Sequence, residues 1–420
     1  MELKRLDHLS DLLEDLESHE AVVVHSAAAH PTILAGQLAD TAPLLTGRRV
    51  YCLLPQGHVP YAQAPARDHL RLTTFLPGPG LRSALDAGRL RVLRLPLSEA
   101  PRLFEQRSVG VVLLRVSPPD ESGRVNLGVS VDYMHSVLSK ARLVVAEIDP
   151  SMPRATGHAW LDINRISACV EAVDGPHEMK SRRPDAVDEA IAENVAGLLE
   201  DGAILQIGVG SLPERVLAKL GHLKHLGLHT GIIGDGAQRL IESGVIDNST
   251  KKVMPGVSVA TMALGSRPFY TFMDRNEAIE MHPCALTHNG RILQSLGRLY
   301  AINSALQMDL FGRVNAEWAG SRRVSLPGGL PDFARAAAAA GDGRSIIALP
   351  ACDRSGQSSI VPELLRGRAC SLHADEVDFC VTEYGVAAIR GRPSVARRKA
   401  LIAIAHPAHR EALMSHLEGE

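Results

Sequence analysis

Aromatic residues and net charge are both scarce in this chain. Phe, Trp and Tyr together make up 4% of its 420 residues, and the formal net charge at pH 7 is −2. A protein that stacks the bases of nucleic acid needs exposed aromatic rings, and one that binds duplexes or anionic membranes needs an excess of positive charge. The composition therefore argues against nucleic acid and against membrane surfaces as partners.

The cysteines are few and scattered. There are six of them, and none forms a Cys-x-x-Cys pair or another spacing typical of metal ligands. Such cysteines are typical of reduced thiols in a cytosolic protein. The charged N-terminus has no apolar core of signal-peptide type, and no run approaches the roughly 18 apolar residues that span a bilayer. We therefore expect a cytoplasmic protein without a bound metal.

Aliphatic residues, in contrast, are abundant and follow two alternating patterns. Hydrophobic residues make up 45% of the chain, and short β-branched runs alternate with longer amphipathic stretches. This alternation predicts an α/β fold with mostly parallel sheets. The length predicts two domains, and the charged stretch 179–184, which ends in a proline, places the boundary between 1–183 and 184–420.

Several individual elements can be assigned from these patterns. The predicted strands are Ala21–His25, Val111–Leu114, Leu143–Ala146 and Ala203–Ile207. The predicted helices are Ser10–Ser18, Pro31–Ala39, Asp188–Glu200 and Ala334–Ala340, with a short polar helix near the C-terminus. Proline suits the first turn of a helix, which makes Pro31 an expected first helical residue.

A glycine-rich turn follows the predicted strand 203–207. Gly208 and Gly210 stand between this strand and a helix that we expect to begin near Pro213. Such a turn leaves backbone N–H groups free for an anion or a thioester oxygen, and glycine lets a ligand approach closely. A Gly-x-Gly turn is also a common plain connection, so the motif alone leaves both interpretations open.

A series of short motifs runs along nearly the whole chain. They are Val116–Asp120, Gly123, Gly128, Ser130, Asp132–Tyr133, Gly208–Pro213, Gly265–Arg267, Ile302–Asn303, Gly328–Gly329, Asp332–Phe333, Val381–Ala387 and Ile404–Pro407. In this order and spacing they resemble the acetyl-CoA hydrolase/transferase family of CoA-transferases, typified by 4-hydroxybutyrate CoA-transferase. The resemblance implies two open α/β CoA-transferase-type domains, coenzyme A thioesters as substrates, and a homo-oligomer.

One segment departs from this resemblance. Family members carry a sequence close to Gly-Ile-His-Ser/Thr-Glu before an Asp-Gly pair, and its glutamate is the covalent nucleophile. This chain matches the pattern at Gly227, His229, Thr230 and Asp235–Gly236 but has Gly231 at the glutamate position. Glycine has no side chain that could form an acyl anhydride. Double displacement through residue 231 is therefore excluded, and we expect open room there beside the thioester carbon.

The resemblance also implies further site residues. It assigns CoA or acyl binding to Gly208, Gly210, Pro213, Gly328, Gly329 and Asp332. It places Glu383 near the active-site entrance. The family's asparagine that holds the thioester oxygen aligns with His288, or with Asn289 after a shift of one residue. Leu330 and Ser359 stand where the family has a glutamine and a cation, which predicts a more apolar acyl pocket and weaker anchoring of CoA.

Histidines are the main candidates to replace the missing carboxylate. A histidine of near-neutral pKa can act as a general base toward water or another nucleophile, and His229 and His288 stand in the matching segments. Asp235 or Glu280 could orient such a histidine. Cys352 is a further candidate nucleophile, although a single cysteine is more often packed and inert.

Three functional hypotheses follow. The first is an enzyme that transfers the acyl group of an acyl-CoA, or of another acyl thioester, directly to water or to a small-molecule nucleophile. The second is a non-catalytic homologue that binds acyl-CoA. The third is conventional CoA transfer between carboxylates through a substitute carboxylate such as Glu280. Intact glycine loops, together with changes that cluster at catalytic positions, favour the first.

Overall fold

The chain forms two compact units. A computed structural model describes residues 3–13, 16–179, 185–365, 367 and 370–416. The first unit consists of Met1–Lys180 and Val259–Thr287, and the second of Ser181–Ser258 and His288–Glu420. Residues 180–184 of the expected domain boundary lie outside the described residues, so the division into 1–183 and 184–420 stays a prediction.

The strands are short and are numbered here in chain order. They are β1 Ala21–Val24, β2 Arg49–Tyr51, β3 Arg71–Thr74, β4 Arg91–Val92, β5 Val109–Val116, β6 Arg124–Asn126, β7 Ala141–Ile148, β8 Thr156–Gly157, β9 Trp160–Asp162, β10 Ala168–Glu171, β11 Ile204–Ile207, β12 Gly227–Leu228, β13 Ile232–Ile233, β14 Ser258–Ala260, β15 Met262–Ala263, β16 Ile279–Met281, β17 Leu299–Ser304, β18 Gln307–Asp309, β19 Val314–Asn315, β20 Trp318–Ala319, β21 Arg322–Arg323, β22 Arg344–Ala348, β23 Ile360–Val361, β24 Phe379–Thr382 and β25 Gly385–Ala388.

The helices are numbered in the same way. They are α1 Ser10–Leu13, α2 Thr32–Thr41, α3 Ala66–His69, α4 Arg82–Asp86, α5 Ala100–Glu105, α6 Met134–Leu138, α7 Ala186–Ala196, α8 Ser211–Lys219, α9 Asp235–Glu242, α10 Arg267–Met273, α11 Cys284–Thr287, α12 Gly290–Ser295, α13 Leu330–Ala339, α14 Ser394–Ala403 and α15 Pro407–Met414. Short 3₁₀ helices cover Ala27–Ala29, Ala42–Leu45, Pro60–Ala62, Pro79–Leu81, Leu97–Glu99, Ile163–Arg165 and Ala374–Glu376. None of the described helices is long and apolar enough to cross a bilayer.

The first unit is built on a seven-stranded sheet in the order β10-β7-β5-β1-β2-β3-β4. All of its neighbouring strands pair in parallel. Every residue of β1 and β5 is buried, as expected of central parallel strands that are covered on both faces. Their β-branched sequences suit that environment because branched side chains pack well on a pleated surface.

The second unit contains a six-stranded sheet in the order β12-β11-β17-β22-β24-β25. Its strands are parallel except for β25, which returns antiparallel to β24. Helix α13 packs on this sheet through Phe333 and the alanines Ala334, Ala336, Ala337 and Ala338, all of them buried. The predicted α/β class with mostly parallel sheets is confirmed.

The predicted strands agree with the structure, and several helix ends do not. All four predicted strands fall on β1, β5, β7 and β11. The helix predicted over Ser10–Ser18 ends at Leu13, with residues 14 and 15 outside the described part and residues 16 and 17 not helical. Helix α2 begins at Thr32, so Pro31 is the residue before the helix rather than its first residue.

Other helix starts also differ from the prediction, and a capping side chain accounts for one of them. The helix predicted over Asp188–Glu200 runs over Ala186–Ala196, because the Asp185 side chain accepts the Asp188 N–H at 2.9 Å and starts it earlier. Helix α8 begins at Ser211, two residues before Pro213. The alanine-rich helix begins at Leu330 rather than at Ala334. Sequence patterns locate a helix better than they locate its first residue.

Candidate functional site

Several of the predicted site residues follow strands of the second sheet directly. Gly208 and Gly210 follow β11, Gly231 comes shortly after β12, and Glu383 follows β24. Because these strands are parallel, the residues that follow them lie at the same, carboxyl edge of the sheet. That edge is where open α/β sheets bind their ligands.

Two buried side chains hold the end of β12. The Asn248 Oδ1 accepts the N–H of Leu228 at 2.8 Å, and the Lys251 Nζ donates to the Leu228 carbonyl at 3.2 Å. Lys251 also donates to the Val257 carbonyl at 2.6 Å. A buried ammonium is stable only when its hydrogens find acceptors, so these bonds fix both the lysine and the strand end.

The next two residues, His229 and Thr230, are buried. The His229 N–H donates to the Leu205 carbonyl at 2.9 Å. The Thr230 Oγ1 donates to the Ile207 carbonyl at 2.7 Å, which ties the end of β12 to the end of β11. The segment that leads to Gly231 is therefore held from both sides, and Gly231 has a defined position.

The His288 imidazole lies directly against Gly231. A Cβ built on Gly231 would be 3.0 Å from the His288 Nε2 and 3.7 Å from the Phe333 ring. A Cβ built on Gly329 would be 2.6 Å from the same Nε2. The His288 and Phe333 rings meet edge to face, with centroids 4.8 Å apart at an angle of 66°, an arrangement that aromatic rings favour.

This geometry corrects the expectation of open room beside Gly231. Real Cβ atoms very rarely come closer to another heavy atom than 3.0 Å, so even an alanine at position 231 would displace the imidazole slightly. A glutamate side chain would have to move the ring out of its place. The structure thus brings together His288, Gly231 and Gly329, which lie far apart in the sequence.

Burial sets the protonation state of His288. The residue is 1% exposed, and desolvation lowers its pKa from 6.5 to about 3. The imidazole is therefore neutral at physiological pH. A group with so low a pKa is a weak general base. The sequence suggests a histidine of near-neutral pKa as the base, and the pKa of His288 does not fit that role. A neutral imidazole still carries one N–H donor and one acceptor nitrogen.

Asn289 caps a helix in the structure. Its Oδ1 accepts the N–H groups of Arg291 at 3.0 Å and Ile292 at 3.3 Å, so it caps the N-terminus of α12. This is the ordinary role of an asparagine at that position. Of the two neighbouring candidates, His288 is the one that lies against Gly231.

The Gly-Val-Gly turn is open. Among the described residues, no atom beyond the adjacent residues of the chain lies within 4 Å of a Cβ built on Gly208 or on Gly210. Gly210 has a φ of +124°, a conformation that side chains rarely allow, and it precedes helix α8. Packing does not demand a glycine at position 208, and its open face would admit a ligand. Pro213 is the third residue of α8.

The second glycine loop precedes α13. Gly328 has a φ of +55°, and Gly329 is the residue before the helix. Asp332 lies in the first helical turn and is partly exposed. The Gly329 backbone contacts the His288 ring. The second glycine loop is therefore part of the same candidate site as Gly231 and His288.

Glu383 and Cys352 lie farther along the same edge. The Glu383 Oε2 accepts the N–H of Ala351 at 2.8 Å. With strands spaced about 4.8 Å apart, β22 is roughly 14 Å and β24 roughly 19 Å from β12. Burial, followed by the charges of Glu383 and Asp353, raises the pKa of the Cys352 thiol. Cys352 is therefore protonated at neutral pH and is a weak nucleophile.

The candidate orienting carboxylates are Glu280 and Asp235. Glu280 belongs to the first unit, where its carboxylate contacts the His282 Nε2 at 2.7 Å. Asp235 is the first residue of α9, a position where a negative charge favours the helix.

Sequence reasoning missed two features of the second unit. The first is the packing of Phe333 against His288, for which the Asp-Phe pair in the glycine loop was the only signal. The second is a cluster of Cys352, His406 and His409. Two histidines three residues apart at a helix start are a detectable signal, whereas the cysteine lies more than 50 residues away in the chain.

Comparisons with known proteins agree with these observations. The model of the acetyl-CoA hydrolase/transferase N-terminal domain matches residues 3–179, and that of the C-terminal domain matches residues 265–417. The chain is 35% identical over 406 residues to the 4-hydroxybutyrate coenzyme A transferase of Clostridium kluyveri, covering 96% of this chain and 95% of that protein.

Two further relatives extend the comparison. The succinyl-CoA:acetate/propanoyl-CoA:succinate CoA transferase of Fasciola hepatica is 34% identical over 399 residues, covering 93% of this chain and 83% of that protein. The crystal structure of RipA from Yersinia pestis superposes with a TM-score of 0.92 at 29% identity, covering 99% and 97% of the two chains. With its parallel sheets and its glycine turns at the carboxyl edge, the chain is an acyl-CoA transferase/hydrolase-like enzyme that belongs to the acetyl-CoA hydrolase/transferase family.

Proposed function

We propose that the enzyme transfers the acyl group of an acyl-CoA directly to water or to a small nucleophile, without a glutamyl intermediate. One observation carries this proposal: the space where the family resemblance places a glutamate side chain is bounded by the His288 ring, 3.0 Å from a Cβ built on Gly231. The group that bounds this space is an imidazole that is neutral at physiological pH.

The proposed role of His288 is to donate a hydrogen bond to the thioester oxygen. A neutral imidazole N–H can stabilise the negative charge that develops on this oxygen during attack. Its low pKa assists this role, because the ring stays in one protonation state over the working pH range. Phe333 and the backbones of Gly231 and Gly329 hold the ring in place, so little reorganisation is needed when the charge develops.

The reaction is balanced without a covalent enzyme intermediate. The incoming nucleophile forms a bond to the carbonyl carbon, the carbon–sulfur bond breaks, and the CoA thiolate takes up the proton that the nucleophile loses. The products are the acylated nucleophile, or the free acid when water attacks, and CoA thiol. The open turn at Gly208 and Gly210, before helix α8, would bind the CoA portion through backbone N–H groups.

The relatives' names supply the substrate class. They are CoA transferases that act on thioesters of small carboxylic acids, so we propose acyl-CoAs with small to medium acyl groups for this enzyme. We further propose, from the same resemblance, that it is a homo-oligomer of two-domain chains. Scattered cysteines support a cytoplasmic location. Light scattering of the purified protein would test the oligomeric state.

The first experiment separates direct transfer from CoA exchange. Purified enzyme is incubated with a panel of acyl-CoAs, with and without acetate or succinate, while free thiol and exchanged acyl-CoA are measured. We expect thiol release that does not depend on the carboxylate. Carboxylate-dependent exchange would contradict the proposal and indicate a substitute carboxylate. Acyl-CoA binding without either reaction would indicate a non-catalytic homologue.

Variants then test the role of His288. We expect His288→Ala to slow thiol release by at least roughly 100-fold, the cost of removing one such donor, while His288→Gln keeps part of the rate. His222→Ala, which changes an exposed histidine, is the matched control. Equal rates for His288→Ala and the control would refute the assignment.

A double substitution tests the spatial argument. Gly231→Glu alone forces the carboxylate against the imidazole, so we expect it to lose activity. Gly231→Glu combined with His288→Asn replaces the ring by a smaller amide and leaves room for the carboxylate. We expect the double variant to gain carboxylate-dependent CoA exchange that neither single variant has. If Gly231→Glu alone had the same exchange activity, the packing argument would be wrong.

A further inference from the structure

A second cluster of reactive side chains lies in the same unit, away from Gly231. Ligand atoms of Cys352, His406 and His409 all lie within 4.8 Å of one another, and the three residues are partly buried. Cys352 follows β22, and the two histidines lie at the start of α15. Because β22 is roughly 14 Å from β12 across the sheet, this cluster is separate from the His288 location.

The backbone holds these residues in place. Cys352 begins a tight turn in which the Asp353 Oδ1 accepts the N–H of Ser355 at 2.8 Å and that of Gln357 at 3.0 Å. The Cys352 and Ser358 backbones pair across the base of this turn. Its tip is tied to α15, since the His409 Nε2 lies 3.0 Å from the Gly356 carbonyl oxygen.

This contact also orients the His409 ring. A carbonyl oxygen only accepts, so Nε2 donates to it and Nδ1 is the nitrogen left to face a metal. Metal-binding histidines commonly donate their second ring nitrogen to a carbonyl in this way, which orients the ring. His409 is thus oriented as a metal ligand would be.

His406 is held more loosely. Its Nδ1 accepts the N–H of Ala408 at 3.3 Å, a weak bond that a metal can replace. Its ring meets the Tyr384 ring edge to face at 5.5 Å. Nearby, the Glu383 carboxylate, which accepts the N–H of Ala351, adds negative charge beside Cys352.

We propose that Cys352, His406 and His409 form a zinc site with its fourth position open to water. Thiolate and imidazole are the donors that Zn²⁺ prefers, in a tetrahedral arrangement. Bond lengths of 2.0–2.3 Å in such a site put the ligand atoms roughly 3.3–3.6 Å apart. Side-chain rotations that move the ligand atoms by about 1 Å would bring them to these distances. On binding, the thiol loses its proton to solvent and the zinc–sulfur bond forms. The bound ion would link the turn after β22 to α15.

The test uses the full chain and Co²⁺ as a spectroscopic substitute for Zn²⁺. Protein stripped with a chelator is titrated with Co²⁺ and then with Zn²⁺. We expect one equivalent to bind with a thiolate-to-cobalt charge-transfer band that Zn²⁺ removes. Cys352→Ser should abolish the band, and His409→Ala should weaken binding at least roughly tenfold.

Matched variants distinguish this site from other thiols and histidines. Cys370→Ser changes another partly buried cysteine, and His416→Ala changes an exposed histidine beyond α15; both should bind Co²⁺ as the unchanged protein does. If Cys352→Ser fails to fold, His409→Gln tests the site instead, and it should weaken Co²⁺ binding at least roughly tenfold. Absence of a charge-transfer band, or a band that survives Cys352→Ser, would overturn the proposal. The outcome does not depend on acyl-CoA turnover.

Discussion

The two parallel sheets end differently at their carboxyl edges. In the first unit, charged side chains near the ends of β5 and β7 pair with one another: Arg115 and Glu147 are the last residues but one of these strands, and Asp149 directly follows β7. Arg115 is completely buried; its Nε donates to the Asp149 Oδ2 at 2.8 Å and its Nη2 to the Asp174 Oδ1 at 2.7 Å. In the second unit, glycines and an imidazole occupy the corresponding edge. The carboxyl edge of the first sheet is occupied by ion pairs, whereas that of the second sheet carries glycine turns whose backbone groups are accessible.

Two buried histidines show the same contrast. His25, directly after β1, has its Nε2 2.7 Å from the Ser130 carbonyl, while its Nδ1 accepts the N–H of Arg115 at 3.2 Å. Both of its ring nitrogens are thus engaged by backbone. His288 lies against the backbones of Gly231 and Gly329 and meets the Phe333 ring edge to face. Burial lowers the pKa of both, to about 4 and about 3, so a lowered pKa does not by itself identify a functional histidine; the neighbours do.

The largest effect is expected from breaking the ion pairs of the first unit. Arg115→Met would leave the carboxylates of Glu147 and Asp149 buried without their partner. Removing one member of a buried charge network costs about 3–5 kcal/mol, so the variant should be largely unfolded or strongly destabilised in urea. Arg5→Ala breaks an exposed pair with Glu171 and should cost less than about 1 kcal/mol. Equal effects would show that burial does not distinguish the two pairs.

The second largest effect is a loss of folding stability at acidic pH. The pKa of His25 is lowered to about 4 and that of His30 to about 3, mainly by burial. The unfolded chain takes up protons near pH 6.5 and the folded chain does not, so stability is complete above pH 6.5 and falls as pH drops toward 4. At pH 5 the loss is about 2 kcal/mol for each histidine, measurable by urea unfolding at pH 7.5 and 5.

Variants sharpen that measurement. His25→Gln should reduce the pH dependence of unfolding by close to one proton between pH 6 and pH 5, because a glutamine does not titrate. An unchanged slope for His25→Gln would contradict the burial argument.

Asp132 should show the opposite dependence. Burial raises its pKa from 3.8 to about 6, although the Ser130 hydroxyl and the Tyr133 N–H donate to it. The folded chain therefore keeps a proton that the unfolded chain loses, and stability falls as pH rises from about 4 to 6. We expect Asp132→Asn to stabilise the protein above pH 6, by about 3 kcal/mol.

A carboxylate with the reverse shift provides the control for Asp132. Hydrogen bonds from Ser122 and Arg124 lower the pKa of Asp120 to about 2, so its charged form is favoured in the folded chain. Asp120→Asn should therefore lower stability at neutral pH, and urea unfolding of both variants at pH 5 and 7.5 checks the two signs. The same sign for both substitutions would refute the assignment.

The smallest effect on stability is expected at the open glycine turn. Because a Cβ on Gly208 meets no atom of another segment within 4 Å in the described part of the chain, Gly208→Ala should leave the melting temperature nearly unchanged. If the turn binds CoA, the added methyl group should weaken acyl-CoA binding by roughly tenfold, or about 1.4 kcal/mol. Gly221→Ala, at another open glycine, should change neither property. Unchanged affinity for Gly208→Ala, measured by calorimetry, would place CoA elsewhere.

Much of the fold was predictable because its signals are local. Runs such as Val22–Val24 and Val111–Leu114 are strands by composition, and the structure places them in the centre of the first sheet. The ends of helices were less predictable, since a single side-chain bond such as that from Asp185 moves a helix start by two residues. The site was predictable only as separate motifs. In the structure, His288 rather than Asn289 lies against Gly231, because the Asn289 side chain caps the N-terminus of α12.

The sequence by itself determined the family, the α/β class and the absence of a side chain at position 231. These are properties of residue type and local order, which a linear chain expresses directly. Only the tertiary structure decided what surrounds that glycine: His288, Gly329 and Phe333 meet there because helix packing brings distant segments to one sheet edge. It likewise decided that Cys352 meets His406 and His409. Such contacts depend on close packing in three dimensions, which no spacing in the sequence records.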